Sequence, residues 1–284
     1  MTRILVYSHD TFGLGNIRRM LRISEALVEH DPDCSVLIVT GSPMLHAFRL
    51  PRRIDYVKLP CLARDTQGTY GVKHLDMDYA DALRMRAGLI LSAASDFAPD
   101  IVLVDKKPLG VGGELAPMLE LLARRSRRPA MHLLLRDILD TPAATRRVWD
   151  ANDYHGAIAR FYDSVLVVGE AQVFDLATAY AFPPQTRAKL QYCGYIDRAR
   201  PQAAASAFPQ LGERRVLVHA GGGQDGVALI DAAIAALDLL GPERGFACRI
   251  IGGPELDPVN RARQSAAAAG LPNGNRRGQA DRKR

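Results

Sequence analysis

Two kinds of hydrophobic pattern alternate along the chain. Short continuous apolar runs occupy residues 4–6, 35–40, 54–59, 101–104, 131–135, 165–168, 215–219 and 246–251. They are too brief for helices and lack polar alternation, as expected of strands buried on both faces of a parallel sheet. Between them apolar residues recur every three or four positions. Ile17, Met20, Leu21, Ser24, Leu27 and Val28 share one face of a helix, and Ile230, Ile234, Leu237 and Leu240 share another. Over 78–98 the spacing puts Leu83, Met85, Leu89 and Ile90 inside, with Arg84 and Arg86 flanking. Gly110, Gly112, Gly113 and Glu114 start a helix that runs through Leu115, Met118, Leu119 and Leu122, and 149–161 reads as one more. Pro43, after Gly41-Ser42, suits the first turn of a helix behind the second strand. Strand, turn and helix in repetition predict an α/β protein built on parallel sheets.

Two segments interrupt that grammar. Residues 60–79 are polar and irregular with Gly68 and Gly71, and a loop of that length is either a functional lid or disordered. Residues 198–213 shift into Ala, Pro, Gln and Ser without period, as a linker does, and the grammar restarts at Arg214. The expected organisation is an N-terminal Rossmann-like domain over 1–197, a linker over 198–213, a second Rossmann-like domain over 214–270 and a tail over 271–284. The second domain holds only two strands and two helices, fewer than a free-standing doubly wound domain needs, so it is either small or truncated.

Composition changes this picture little. The chain has 284 residues, 48% hydrophobic and 24% charged, an ordinary globular balance. Its net charge of +6 looks like a nucleic-acid footprint until it is located. Arg276, Arg277, Arg282, Lys283 and Arg284 face Asp281 alone in the tail, which leaves +2 for everything else. The tail reads as disordered, and no nucleic-acid partner is expected. Without an apolar run of membrane-spanning length or a leader peptide, the expected location is cytoplasmic, with contact at the inner membrane surface compatible. Cys34, Cys61, Cys193 and Cys248 show no Cys-x-x-Cys spacing, so buried reduced thiols are expected, and no metal site.

Candidate chemistry sits at the strand ends. Gly13 and Gly15 follow the first strand and let the chain turn tightly into a helix whose N-terminal N–H groups suit an anionic or hydroxyl-rich ligand. The third glycine of a dinucleotide fingerprint is missing, since position 18 is Arg, and there is no Walker lysine. Arg18 and Arg19 follow, either on a solvated face or with one turned to an anionic ligand. Asp105-Lys106-Lys107 ends another strand, and Arg136-Asp137 ends the next, where ligands of open α/β sheets lie. The Arg136-Asp137 pair reads equally as a surface ion pair or a helix cap. In the second domain Gly221, Gly222, Gly223 and Gly226 permit close backbone approach to a diphosphate, and Gln224 or Asp225 either caps the next helix or touches the ligand.

Several stretches in this order resemble the GT-B glycosyltransferases, and more narrowly bacterial predicted glycosyltransferases related to the lipid-linked N-acetylglucosaminyltransferase of peptidoglycan synthesis. They are Ser-His-Asp-Thr-Phe-Gly-Leu-Gly-Asn-Ile-Arg-Arg at 8–19, Pro-Asp-Ile-Val-Leu-Val-Asp at 99–105, Gly-Glu-Leu at 113–115, Leu-Arg-Asp-Ile-Leu-Asp at 135–140, Tyr-Cys-Gly-Tyr at 192–195 and His-Ala-Gly-Gly-Gly-Gln-Asp-Gly at 219–226. The resemblance spans roughly residues 3–255. It implies a first domain that binds the acceptor, small or lipid-linked, and a second that binds a nucleotide-sugar, UDP-linked, as substrate, with transfer in the cleft, no obligatory metal and no further cofactor. The acceptor side would comprise Gly13, Gly15, Asn16, Arg19, Asp105, Arg136 and Asp137. The donor phosphates would meet Gly221, Gly222, Gly223, Gln224 and Asp225. Related enzymes often carry a His where this chain has Asn16, and an amide takes no proton from a hydroxyl. His9 and Asp10 at the strand end are therefore the candidate bases. A nucleotide-sugar 2-epimerase of the same fold and a non-catalytic acceptor-binding remnant are the alternatives.

Overall fold

The computed structural model describes residues 1–8, 14–64, 70–197 and 214–271, and the chain divides near residue 198 into two compact units. In the first, β1 (Thr2–Ser8), α1 (Gly15–His30), β2 (Cys34–Thr40) and β3 (Ile54–Lys58) lead into a small hairpin of β4 (Leu62–Arg64) and β5 (Tyr70–Val72). Then follow α2 (Tyr79–Phe97), β6 (Ile101–Asp105), α3 (Ala116–Ala123), β7 (Ala130–Arg136), α4 (Pro142–Ala151), α5 (Tyr154–Phe161), β8 (Ser164–Val168), the single-turn helices α6 (Leu176–Ala179) and α7 (Pro184–Arg187), and β9 (Leu190–Tyr192). Seven parallel strands pair in the order β3-β2-β1-β6-β7-β8-β9.

That order has a functional consequence. The chain first moves outward from β1 to β3, then returns to β1's other side at β6. The strand direction of travel therefore reverses between β1 and β6, and it is beyond the C-terminal ends at such a reversal that open α/β sheets bind ligands. Period-two alternation sorts the strand side chains onto two faces. Leu5, Tyr7, Val102, Val104, Leu133, Leu135, Val165 and Val167 form one core with Ile90, Leu119 and Ile158. Ile4, Val6, Val36, Ile38, Leu103 and Leu134 form the other with Ile17, Met20, Leu21 and Val28 of α1.

The helices and loops of the first unit depart from the sequence expectations in five places. Behind β2 there is no α-helix but one 3-10 turn, Leu45–Ala47. The segment 60–79 is not wholly irregular, since its arms pair as β4 and β5. Only α3, from Ala116, is regular helix in the stretch assigned to 110–122. The positive φ of Gly110, Gly112 and Gly113 holds the preceding turn out of the α conformation. Residues 149–161 form two helices, broken where Asp153 takes φ 46° and its carboxylate caps α5 by accepting the Gly156 N–H at 3.2 Å. Finally α2 is rotated about its axis. It buries Ala82, Arg86, Ile90 and Ala94, leaving Met85 and Leu89 46% and 39% exposed.

The second unit contains β10 (Arg214–His219), α8 (Val227–Leu240), β11 (Phe246–Ile251) and α9 (Pro258–Gly270), with β10 and β11 parallel. Its core is small: Ala220, Ile230 and Leu256, with Val227, Ile234 and Ile250 packed on them. Leu240, expected inside, is 55% exposed. The Gln264 amide ties α9 to α8 by donating to the Val227 carbonyl at 3.0 Å and to Asp231 at 2.8 Å. Of the cysteines, all free, Cys34 alone is buried, and Cys193 is exposed, contrary to the expectation of buried thiols. Among the described residues no helix is long and apolar enough to cross a membrane.

Candidate functional site

At the reversal between β1 and β6 the first unit places charge by side chains. Asp105, the last residue of β6, is fully buried and forms an ion pair with Arg19, whose side chain is 11% exposed. Arg19 reaches it from the second turn of α1, and also donates to the Asn16 Oδ1 at 3.4 Å. Asn16 thus steadies Arg19. Among the described residues the buried Arg19 Nε has no hydrogen-bond partner, an arrangement that demands an explanation such as a polar ligand. Directly after Asp105, Lys106 sits at φ 67°, and the Lys107 N–H donates back to the Asp105 carbonyl at 2.7 Å. A non-glycine residue held there is strained, and such strain gathers at functional sites. Lys107 then donates to the Tyr70 hydroxyl at 3.0 Å, with its ammonium 4.8 Å from the ring centroid. The hairpin is fastened to the strand end in this way.

Gly15, Asn16, Arg19 and Asp105 are therefore gathered at one strand end. Gly15 opens α1 with ordinary helical φ, and a Cβ there would meet nothing within 4 Å, so a tight turn does not explain it. Arg136 and Asp137 lie at the end of β7, the neighbour of β6, and do not pair with each other. Arg136 reaches the Leu139 carbonyl at 3.4 Å, and Asp137 accepts from the Ile138 N–H at 2.8 Å and the Tyr195 hydroxyl at 3.1 Å. Partial burial, then this bond to Asp137, pushes the Tyr195 phenol above its ordinary value. His9, Asp10 and Gly13 lie outside the described residues.

Beneath this end lies a group that the sequence pattern did not reveal. Glu114, 3% exposed, accepts from Arg86 twice, at 2.5 and 2.7 Å, and from the Tyr7 hydroxyl at 2.5 Å. Arg86, 2% exposed, also donates to the Pro60 carbonyl at 2.5 Å. This network ties β1, α2, the turn after β6 and the base of the hairpin to one carboxylate. Burial works against the Arg86 charge, but the Glu114 carboxylate outweighs it and holds the guanidinium pKa above its usual range. Burial, then Glu114, drives the Tyr7 phenol well above its ordinary value. The only sequence signal was an Arg amid apolar positions at helical spacing, every fourth residue from Ala82 to Ala94.

Among the described residues the second unit places no buried charge at its strand end. His219, Ala220, the glycines 221, 222, 223 and 226, Gln224, Asp225 and Leu229 line an open cavity of about 400 Å³. Gly223 has φ 101°, and a Cβ there would lie 2.3 Å from the Gly252 carbonyl oxygen. A Cβ on Gly253, at φ 83°, would lie 2.5 Å from the Gly221 carbonyl oxygen. The loops after β10 and β11 thus pack backbone to backbone, joined by the Glu255 N–H on the Gly222 carbonyl at 2.7 Å. Only glycine permits that approach. Neither Gln224 nor Asp225 caps α8. Its N-cap is Gly226, without a side-chain bond, and the Gln224 amide donates instead to Glu255 at 3.3 Å. Among the described residues the N-cap position of α8 thus supplies no side-chain bond to the first-turn N–H groups. Among the described residues no group of three or more His, Cys, Asp or Glu side chains is placed to hold a metal ion.

No protein-family model matches the sequence, and no curated protein does. Solved structures do match. A putative UDP-N-acetylglucosamine 2-epimerase from Listeria monocytogenes superposes with a TM-score of 0.57 at 15% identity, over 94% of this chain and 66% of its own. A glycosyltransferase from Rickettsia africae gives 0.52 at 13% identity, over 94% and 65%. A transferase from Siraitia grosvenorii, solved in complex with UDP, gives 0.50 at 10% identity, over 88% and 65%. The fold is GT-B. At such identities the likeness is one of fold, and the chain spans just under two thirds of the length of each of these neighbours. Of the two Rossmann-like units of this GT-B chain, the first carries the seven-stranded sheet and the second the β10–β11 pair.

Proposed function

We propose that the protein moves a sugar from a UDP-linked donor to an acceptor hydroxyl without a metal ion. Residues 214–270 take the donor, and residues 1–197 the acceptor. The observation that carries this reading is the glycine cavity at the end of β10, where the backbone comes close and the N-terminus of α8 has no side-chain cap. Gly221, Gly222 and Gly223 bring the diphosphate against that helix end, and Gln224 and Asp225 border it. As the bond from the anomeric carbon to the diphosphate breaks, the charge left on the diphosphate is held by N–H groups and the helix dipole.

On the acceptor side the Arg19–Asp105 pair orients the acceptor, with the unpartnered Arg19 Nε as its hydrogen-bond donor. His9 or Asp10 takes the hydroxyl proton as the oxygen attacks the sugar. Gly13 and Gly15 lie beside them in the chain, and Arg136 and Asp137 border the acceptor from β7.

The test is incubation with UDP-sugars, following release of UDP with candidate acceptors together with saturable UDP binding. Turnover with an acceptor supports transfer. Epimerised donor formed without any acceptor replaces the reading by the 2-epimerase, whose fold this chain shares equally. Absence of both turnover and UDP binding contradicts it.

A further inference from the structure

We infer that the first unit binds an anionic phosphate group at the N-terminal end of its sheet, at the opposite strand end from Arg19 and Asp105. The inference does not depend on which unit takes donor or acceptor. An open cavity of about 560 Å³ lies there, larger than the glycine cavity, lined by Met1, Thr2, Arg3, Asp100 and Arg127. Its charged side chains are two guanidiniums and one carboxylate, and both carboxylate oxygens are already engaged. Asp100 accepts the Arg3 N–H at 2.9 Å through one and pairs with Arg127 at 3.2 Å through the other. The Arg3 N–H, opposed by slight burial and then aided by the Arg127 and Arg3 charges, holds Asp100 below the usual carboxylate range. Asp100 thus stays ionised and steadies Arg127, whose side chain is 90% exposed, at the cavity wall.

The arginines around this cavity have structural reasons to be there. Arg124 is the C-cap residue of α3 and Arg160 lies in the last turn of α5, where the helix dipole favours a cation, and both pair with Glu120. Arg125 donates to the Ser95 carbonyl at 2.9 Å, and Arg128 to the Phe161 carbonyl at 2.7 Å and to Asp163 at 3.1 Å. Arg3 and Arg127 lie outside the helices, so no dipole accounts for them. Among the described residues the Arg3 guanidinium makes no hydrogen bond or ion pair. Two guanidinium forks in one cavity carry more N–H donors than a single carboxylate accepts, and the oxygens of a phosphate group match those left over.

Two double substitutions separate a built site from diffuse positive charge. Arg3→Gln with Arg127→Gln removes the cations of the cavity, and Arg124→Gln with Arg125→Gln removes the same charge beside it. Each is compared with wild type by calorimetric titration of inorganic phosphate at fixed ionic strength, and by co-sedimentation with phosphatidylglycerol vesicles against phosphatidylcholine vesicles. Wild type binds phosphate saturably, with a Kd on the order of 1 mM. The Arg3, Arg127 variant binds about tenfold or more weakly, as loss of hydrogen bonds to a charged group requires. The Arg124, Arg125 variant stays within about threefold of wild type, since exposed charges outside the cavity are screened. Sedimentation with phosphatidylglycerol that is lost in the Arg3, Arg127 variant alone identifies the phosphate group as a lipid headgroup. Phosphate binding without sedimentation identifies a free phosphate compound. A wild type that does not bind phosphate, or an equal effect of the two double substitutions, overturns the site.

Discussion

The two strand ends of this molecule are built by opposite means. In the first unit, electrostatics at the end of β1 and β6 comes from side chains: Asp105 with Arg19, and below them Glu114 with Arg86 and Tyr7. In the second, it comes from backbone, with glycines that allow two loops to touch and a helix end left without a side-chain cap. The first solution needs a large core to surround charged groups, and the seven-stranded sheet supplies one. The second needs only close approach, which a two-stranded sheet with a small core sustains. Strand, turn and helix thus specify where a ligand goes, while the residues at the turn decide whether charge is presented by side chain or by peptide.

The largest effect should come from breaking the side-chain solution. Glu114→Ala strands a fully buried guanidinium, which costs about 3–5 kcal/mol, whereas the joint change Arg86→Met with Glu114→Leu removes both charges and should cost far less. Denaturant unfolding checks both. If Glu114→Ala were as stable as wild type, the first unit would not depend on its buried charges.

Gly223→Ala attacks the backbone solution. The new Cβ meets the Gly252 carbonyl and the residue stays at positive φ, a strain of about 1–3 kcal/mol that opens the turn. UDP affinity should fall about tenfold or more, while the unfolding transition of the first unit stays in place. A loss of the first-unit transition would mean that the two solutions are not separate.

The smallest effect is a pH dependence of the first unit. Burial lowers the pKa of His132 and His155 below the ordinary 6.5, with Asp163 opposing it for His132 and Asp150 and Asp153 for His155. Both are favoured neutral in the folded state, and the unfolded chain binds the extra protons. Stability is therefore full above about pH 6.5 and declines as the pH falls below it. Thermal melting of the first unit from pH 7.5 to pH 5 should show that slope, and His132→Gln should flatten it. A slope unaltered by His132→Gln would assign it to other groups.

Much of the fold was legible in the sequence because buried parallel strands write themselves as short apolar runs. The runs at 4–6 and 101–104 mark β1 and β6, and α8 and β11 begin and end where periodicity places them. The turns at Gly221–Gly223 were legible for the same reason, since glycine repetition has few other causes. Arg86 and Glu114 were not. A charged residue at a helical core position is indistinguishable from a flanking one until its partner is known, and that partner lies 28 residues away. Hydropathy alone therefore turned α2 to the wrong phase, with Met85 and Leu89 inside. Likewise Gln224 and Asp225 have the chemistry of caps, but Glu255, from the loop after β11, draws the Gln224 amide away.

In the proposed reaction the glycine turn after β10 holds the donor diphosphate while the Arg19–Asp105 pair serves the acceptor. Calorimetric titration of UDP into wild type, Gly223→Ala and Asp105→Asn tests it most directly. Wild type and Asp105→Asn should bind saturably with similar affinity, and Gly223→Ala should bind about tenfold or more weakly. Equal loss in Asp105→Asn, or unimpaired binding in Gly223→Ala, would contradict it.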